Sequence, residues 1–184
     1  MNKILVIGGS KGIGSAIIKN LVDENSIVNI SRTPPVDSHI NLTHFNYNIL
    51  TDDLPEIEEI DTLIYCPGSI NLKPISRLKL EDFRNDFEIN VIGAVKAIQH
   101  YLPALKKGNK PSILLFSTVS AKLGMPFHAS IAAAKSAVEG VTKSLGAELA
   151  PLIRVNAIAP TVTDTELASK LLRNERMIEN IRER

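Results

Sequence analysis

The sequence predicts an α/β fold in which a doubly wound, parallel β-sheet lies between two layers of helices. Short runs rich in Ile, Leu and Val alternate along the chain with longer segments of helical periodicity. A glycine-rich turn joins the first of these runs to the first helical segment. Continuous apolar runs suit strands that are covered on both faces. Their alternation with helices requires right-handed crossovers between parallel strands, as in Rossmann-like folds.

Six strands and three long helices are predicted. The strands are residues 3–7, 27–31, 44–47, 62–66, 112–117 and 153–158. The helices are residues 13–22, 81–105 and 130–149, which have the length and apolar spacing of helices packed on a sheet. Pro34 and Pro35 follow the second strand. Since proline lacks an amide donor and restricts the residue before it, we expect a loop without a helix at this crossover.

Composition narrows the class of protein. A chain of 184 residues with 44% hydrophobic content predicts one domain over residues 1–184, and no repeat or linker divides it. A net charge of +1 argues against nucleic-acid partners and anionic membranes. The lone Cys66 excludes an intrachain disulfide, and the spacing of Cys and His predicts no metal site. No leader or long apolar stretch precedes the first strand, so we expect a cytoplasmic protein.

The turn after the first strand carries the most specific local signal. It reads Gly8, Gly9, Ser10, Lys11, Gly12, Ile13 and Gly14. Glycine permits a tight turn and a close approach of the backbone, while the amides and the dipole of the following helix favour a diphosphate. The sequence therefore predicts a dinucleotide site at this turn.

Charges near the second strand indicate which dinucleotide binds. An NAD-preferring site usually places a carboxylate after this strand, whereas here Ser31 is followed by Arg32, and Lys11 lies in the turn. Two cations suit a 2′-phosphate, so NADP(H) is favoured over NAD(H). Asn48 lies near the end of the third strand. It is interpreted either as a turn former or, by resemblance to a family of dinucleotide-binding proteins, as a contact to the adenine.

In order along the chain, these motifs resemble those of the short-chain dehydrogenase/reductase family. Ile7 replaces the threonine that usually leads the glycine motif. Tyr65 to Gly68 occupies the place of the family's Asn-Asn-Ala-Gly element and keeps only its glycine. The resemblance implies that Gly68 lines the cofactor cleft. It also implies that Asn90, within a long helix, interrupts helical bonding and holds a water on a proton relay.

The resemblance places three further positions in the active site. Thr118 stands at the place of the family's serine and keeps a hydroxyl, with Ser117 as a less well aligned neighbour. Lys135 matches the lysine that bonds the nicotinamide ribose. Ile131 stands at the place of the catalytic tyrosine and cannot transfer a proton. His128 is either the substitute acid or a surface loop residue.

The segment after the sixth strand resembles the family's border to the nicotinamide carboxamide, which implies contacts from Pro160, Thr163 and Thr165. The same residues are also typical of a loop and N-cap before a helix from Glu166. Residues 173–184 predict a charged helix. The family normally continues through another helix and strand, so a shortened sheet edge is expected.

Two functions remain open. The first is an NADP(H)-dependent oxidoreductase for a small carbonyl or alcohol, in which Asn90, Thr118 and Lys135 act and His128, Lys135 or water handles the proton. The second is a catalytically silent NADP(H)-binding protein that acts as a sensor or partner subunit. In either case a homo-oligomer through helices 81–105 and 130–149 is expected.

Overall fold

The computed structural model describes residues 1–169, and within them six parallel strands form one sheet in the order β3-β2-β1-β4-β5-β6. The strands are β1 (Lys3–Ile7), β2 (Ser26–Ser31), β3 (Leu42–Asn46), β4 (Thr62–Tyr65), β5 (Ser112–Phe116) and β6 (Arg154–Ile158). The predicted doubly wound fold is confirmed. The strand order reverses between β1 and β4, and ligands of such sheets bind beside the carboxyl ends of the strands at this point.

The helices follow the prediction with one interruption. They are α1 (Gly12–Leu21), α2 (Leu80–Phe87), α3 (Gly93–Leu105), α4 (Ser120–Leu123) and α5 (Ala129–Leu149). The expected single helix over residues 81–105 is wrong in its middle, where Glu88–Ile92 forms a π-helical segment between α2 and α3. The short α4 was not predicted. No helix lies between β2 and β3, as the two prolines predicted.

Alternate residues of the strands point into two apolar layers. In β1, Leu5 and Ile7 pack into the larger layer, which includes α3 and α5, while Ile4 and Val6 pack into the smaller layer against α1. This burial on both faces explains why the strands read as continuous apolar runs. Within residues 1–169, no helix has the length and apolar character needed to cross a membrane.

Candidate active site

The glycine-rich turn connects the carboxyl end of β1 to α1. Gly8 has φ of +80° and Gly12 has φ of +54°, angles that residues with a side chain rarely adopt. A Cβ at Gly14 would lie 2.3 Å from the carbonyl oxygen of Gly8, so only glycine lets α1 start this close to the turn. Lys11 is the N-cap residue, and its side chain makes no capping hydrogen bond. The first amides of α1 therefore remain open to an anionic group such as a diphosphate.

Asn29, within β2, holds the turn in place and was missed by the sequence analysis. Its side chain is fully buried, and Oδ1 accepts a hydrogen bond from the backbone N–H of Gly9 at 2.9 Å. Its Nδ2 donates to Ser31 Oγ at 2.9 Å. A Cβ at Gly9 would lie 2.6 Å from Asn29 Oδ1. A polar residue inside an apolar strand was the available signal, because a buried amide needs hydrogen-bond partners.

The two cations predicted to bind a 2′-phosphate, Lys11 and Arg32, are both exposed. Arg32 directly follows β2 and is exposed. Lys11 Nζ lies 2.7 Å from Glu166 Oε2, and the two side chains are 65% and 71% exposed. An exposed ion pair of this kind contributes only about 0–1 kcal/mol. A phosphate that binds at the turn can therefore replace Glu166 as the partner of Lys11.

Asn48 and Ser31 make local hydrogen bonds. Asn48 Oδ1 accepts from the N–H of Leu50 at 3.2 Å, and the Asn48 N–H donates to Asp52 Oδ2 at 2.8 Å. Asn48 was interpreted either as an adenine contact or as a turn former, and these local hydrogen bonds are typical of a turn former. Ser31 Oγ donates to the carbonyl of Thr33 at 2.8 Å, so its proton is already engaged.

A cavity of about 190 Å³ at the carboxyl ends of β4, β5 and β6 brings half of the predicted site residues together. Its walls are largely apolar, with Leu72, Phe116 and Met125 among them. A second cavity of about 440 Å³ runs along α1. The predicted residues that line the first cavity are Ile13, Gly68, Thr118, His128, Ile131, Lys135, Pro160, Thr163 and Thr165. Of these, Ile13, Thr163 and Thr165 also line the second cavity, together with Gly12.

Lys135 reaches this cavity from α5. Its Nζ donates to the carbonyl oxygen of Phe116 at 2.7 Å. Burial lowers the pKa of Lys135 to about 8, and the nearby Cys66 opposes this effect in part. Burial raises the pKa of the Cys66 thiol to about 12, so the thiol stays protonated near neutral pH. The cavity therefore contains one amine that exchanges its proton close to physiological pH, beside a neutral thiol.

The two hydroxyls that follow β5 have different partners. Ser117 is 3% exposed, and its Oγ donates to Glu139 Oε1 at 2.8 Å. Thr118 lines the cavity, and its Oγ1 accepts from Ser120 Oγ at 3.2 Å. Since accepting leaves the Thr118 proton free, Thr118 is able to donate to an oxygen in the cavity. Ser117 also lines the cavity, but its proton is donated to Glu139, which the sequence analysis did not single out.

Ile131 lies one helical turn before Lys135, is 5% exposed and lines the cavity. Its side chain has no group that transfers a proton. His128 lies just before α5 and also lines the cavity. His128 Nδ1 lies 2.7 Å from the carbonyl oxygen of Pro126, which assigns the proton to Nδ1. Nε2 is then the nitrogen that remains to exchange a proton with a ligand.

Asn90 lies within the π-helical segment and is 2% exposed. Its Nδ2 donates to the carbonyl of Asp86 at 2.7 Å and to Ser69 Oγ at 3.0 Å. Ser69 Oγ donates in turn to Asp86 Oδ1 at 2.5 Å. Asn90 Oδ1 accepts no hydrogen bond from the described residues, and a Cβ at Gly68 would lie 3.2 Å from it and 3.5 Å from Lys135 Nζ. The structure thus places Asn90 beside Lys135, although Asn90 does not line the cavity.

Tyr65 supports the π-helical segment. Its Oη donates to the carbonyl of Ile89 at 2.7 Å, within the segment whose ordinary helical bonding is shifted. A Cβ at Gly93 would lie 2.3 Å from this Oη, so the glycine makes room for the phenol. Burial raises the pKa of Tyr65, and its hydroxyl is directed away from the cavity lining. The Tyr65 hydroxyl is therefore engaged with the π-helical segment, and Tyr65 is not among the residues that line the cavity.

The segment after β6 packs on the glycine-rich turn. A Cβ at Gly12 would lie 3.3 Å from Thr165 Cγ2. Thr165 Oγ1 accepts from the N–H of Ala168 at 3.3 Å and donates to the carbonyl of Thr163 at 3.4 Å. Thr165 therefore caps a 3-10 turn over Glu166–Ala168, which confirms the N-cap interpretation. The helix predicted over residues 173–184 lies outside the described residues.

Comparison with known proteins identifies the class. A sequence profile described as Enoyl-(Acyl carrier protein) reductase matches residues 49–184. The cyclopentanol dehydrogenase of Comamonas sp. (strain NCIMB 9872) is 28% identical, over 92% of this chain and 76% of that protein. The 3alpha-hydroxysteroid dehydrogenase of Mediterraneibacter gnavus is 26% identical, over 92% of this chain and 77% of that protein.

A solved structure agrees with these sequence matches. The ligand-free aldohexose dehydrogenase of Thermoplasma acidophilum superposes with a TM-score of 0.84 and 25% identity, over 98% of this chain and 76% of that one. Fold, site and relatives define a Rossmann-like oxidoreductase domain. The chain belongs to the short-chain dehydrogenase/reductase family.

Proposed function

We propose that this protein is an NADP(H)-dependent oxidoreductase that moves hydride between the nicotinamide and a small carbonyl or alcohol. The main support for this proposal is one cavity that is lined by residues from several of the predicted site segments. Thr118, Lys135 and Gly68 meet there with the segment from Pro160 to Thr165, and Ile13 connects the cavity to the glycine-rich turn. A dinucleotide whose diphosphate lies at the turn would place its other end at this cavity.

The residues present fit such a dinucleotide. The uncapped start of α1 and the positive φ angles of Gly8 and Gly12 suit a diphosphate. Arg32 and Lys11 would hold a 2′-phosphate. Lys135 would contact the nicotinamide ribose, with Asn90 Oδ1 nearby as an unsatisfied buried acceptor. When bound, the nicotinamide supplies or accepts the hydride.

In the proposed reaction, Thr118 and His128 act in place of a catalytic tyrosine. Thr118 would donate a hydrogen bond to the substrate oxygen. His128 would exchange the proton through Nε2, because Nδ1 is held by the carbonyl of Pro126. A positioned general acid of this kind contributes about 10²- to 10⁴-fold to a rate. His128 is thus the proposed replacement for the missing phenol.

The cavity limits the substrate. The cavity of about 190 Å³ would hold the nicotinamide end as well as the substrate, and it is below the usual range of ligand pockets, about 300–1,000 Å³. Its apolar walls, including Leu72, Phe116 and Ile131, favour a compact apolar molecule. Cyclopentanol, which gives its name to one relative, has the appropriate size and polarity. Small alicyclic ketones and alcohols are therefore the first substrates to assay.

Binding is the first test. NADPH and NADH are titrated into the protein by calorimetry, and we expect tighter binding of NADPH. Arg32→Ala should weaken NADPH binding by about tenfold or more and leave NADH binding unchanged, because only NADPH carries the 2′-phosphate. Arg77→Ala, an exposed arginine in another loop, is the matched control. No binding of either coenzyme would refute the dinucleotide site.

Turnover is the second test, and it separates the enzyme from a silent dinucleotide-binding protein. The protein is incubated with NADPH and cyclopentanone, and the absorbance of NADPH is followed. His128→Ala should lower the rate by about 10²-fold, whereas His39→Ala, in an exposed loop, should not. Ile131→Tyr should raise the rate by about tenfold or more if the phenol is the only missing group. Tight NADPH binding without turnover would favour the silent alternative, for which Ile131 is the supporting observation.

The proposal includes an oligomeric state and a cellular location. We expect a cytoplasmic homo-oligomer that pairs through α2, α3 and α5. Phe87 and Ile92, each 42% exposed at the junction of α2 and α3, supply apolar surface for such a contact. Light scattering on the purified protein measures the assembly, and a monomer at all concentrations would contradict it.

A further inference from the structure

We propose that Lys135 is also an amine site that forms an imine with small apolar aldehydes or ketones when no dinucleotide fills the adjoining cleft. The proposal goes beyond hydride transfer and does not require it. Lys135 and Gly68 both line the cavity of about 190 Å³. A Cβ at Gly68 would lie 3.5 Å from Lys135 Nζ, so the glycine keeps a side chain from crowding the amine.

The neighbours of Lys135 leave its nitrogen available. Its Nζ makes one hydrogen bond, to the carbonyl of Phe116 at 2.7 Å. The residue one turn earlier is Ile131, which offers no hydroxyl to hold the amine. Burial lowers the pKa of Lys135 to about 8, so a useful fraction is the neutral, nucleophilic form near neutral pH.

The titratable groups around the amine do not supply a counter-charge at Nζ. Cys66, directly after β4, is a half-buried, protonated thiol and opposes the lowered pKa of Lys135 only in part. His128 lines the same cavity before α5. Glu139, one turn further along α5, accepts from Ser117 at 2.8 Å, and Asp86 of α2 accepts from Ser69 at 2.5 Å. In each case the hydroxyl occupies one carboxylate oxygen, and among the described residues neither carboxylate forms an ion pair with Lys135.

Imine formation by Lys135 needs only the carbonyl compound and one proton from solvent. The neutral Lys135 nitrogen bonds to the carbonyl carbon, and one nitrogen proton moves to the oxygen to give a carbinolamine. The hydroxyl then takes up a proton from solvent, and the carbon–oxygen bond breaks, so that the oxygen leaves as water while the nitrogen lone pair forms the C=N bond of the iminium. Thr118, whose proton is free, would hydrogen-bond the departing oxygen. The resulting iminium keeps one N–H, which suits the single acceptor that the Phe116 carbonyl provides.

Reductive trapping tests this proposal. The protein is treated at pH 7 with limiting propanal and cyanoborohydride, which reduces an iminium to a stable propylamine, and the sites are mapped by mass spectrometry. At this pH, an amine with a pKa of about 8 has about 300-fold more of the neutral form than one at the ordinary lysine value of 10.5. We expect Lys135 to be labelled at least about tenfold faster than Lys143, an exposed lysine two turns further along α5. Equal or slower labelling of Lys135 would overturn the proposal.

Two further arms separate this inference from the proposed function. Lys135→Met should lose the fast label, whereas Lys143→Met should keep it; the site map of the unmodified protein gives the same information if a variant does not fold. Saturating NADPH should suppress labelling of Lys135 and leave labelling of Lys143 unchanged. Fast labelling that NADPH does not suppress would support the imine site and contradict the proposed ribose contact. Slow labelling of Lys135 that NADPH does suppress would contradict the imine site and support the ribose contact.

Discussion

Replacement of Lys135 by methionine should stabilise the protein in the absence of a dinucleotide. Burial lowers the pKa of Lys135 from the ordinary value of 10.5 to about 8. This difference corresponds to about 3 kcal/mol against the folded state when the amine is charged. Methionine has a similar length and no charge. It also removes the hydrogen bond to the Phe116 carbonyl, which contributes about 1–2 kcal/mol. We therefore expect Lys135→Met to raise the free energy of unfolding at pH 7 by about 1–2 kcal/mol.

The pH dependence gives a second signature of the same effect. Because the unfolded chain binds the Lys135 proton more tightly than the folded protein, the destabilisation is complete below pH 8. It diminishes as the pH rises from about 8 to 10.5, so the unmodified protein should gain stability across this window relative to Lys135→Met. Other groups titrate in both proteins, and the difference between the two curves isolates Lys135.

Urea unfolding followed by circular dichroism at pH 7, 8, 9 and 10 measures both effects. Lys143→Met, on the exposed side of α5, serves as the control and should change stability by less than about 0.5 kcal/mol. NADPH should raise the stability of the unmodified protein by mass action and raise that of Lys135→Met much less. A Lys135→Met protein that is less stable at pH 7, or whose difference curve is flat between pH 8 and 10, would refute the reasoning.

Three glycine substitutions test the packing of the site. Gly14→Ala places a Cβ 2.3 Å from the Gly8 carbonyl oxygen, so we expect a loss of about 3 kcal/mol in stability and no calorimetric binding of NADPH. A Cβ at Gly140, on α5, would meet no atom within 4 Å, so Gly140→Ala should stabilise the protein by about 0.5–1 kcal/mol in thermal unfolding. A loss of stability would contradict the open space at this position. Gly93→Ala should destabilise by about 2–3 kcal/mol through its 2.3 Å approach to Tyr65 Oη. The cost should fall by at least about 1 kcal/mol in a Tyr65→Phe background, and an additive double-mutant cycle would contradict this contact.

The strands were predicted well because their chemistry is local. The central strands β1 and β4 are short apolar runs covered on both faces, whereas the edge strands β3 and β6 are partly exposed. The observed bounds differ from the predicted ones by at most two residues, as for β3 over Leu42–Asn46. The long helix was predicted less well. The π-helical segment over Glu88–Ile92 depends on the phenol of Tyr65, which comes from β4 and donates to Ile89. No periodicity within residues 81–105 carries that information.

The site was predicted in part. The glycine-rich turn and Lys135 belong to patterns that are visible in the sequence. The residues that hydrogen-bond to the site from other elements belong to no such pattern. Asn29 supports Gly9 across two strands, and Glu139 engages the hydroxyl of Ser117. Such hydrogen bonds join residues that are distant in the chain, so only the packing of β2 on β1 and of α5 on β5 reveals them.

By itself, the sequence determined the order of strands and helices, the site of the tight turn, and the absence of a phenol at Ile131. These properties follow from residue type and spacing, since backbone preferences and apolar periodicity act over a few residues. Only the tertiary structure decided the state of Lys135. Its lowered pKa arises from burial beneath β4 and β5, beside Cys66 and the Phe116 carbonyl. Desolvation is a property of the surrounding elements together, and no stretch of sequence specifies it alone.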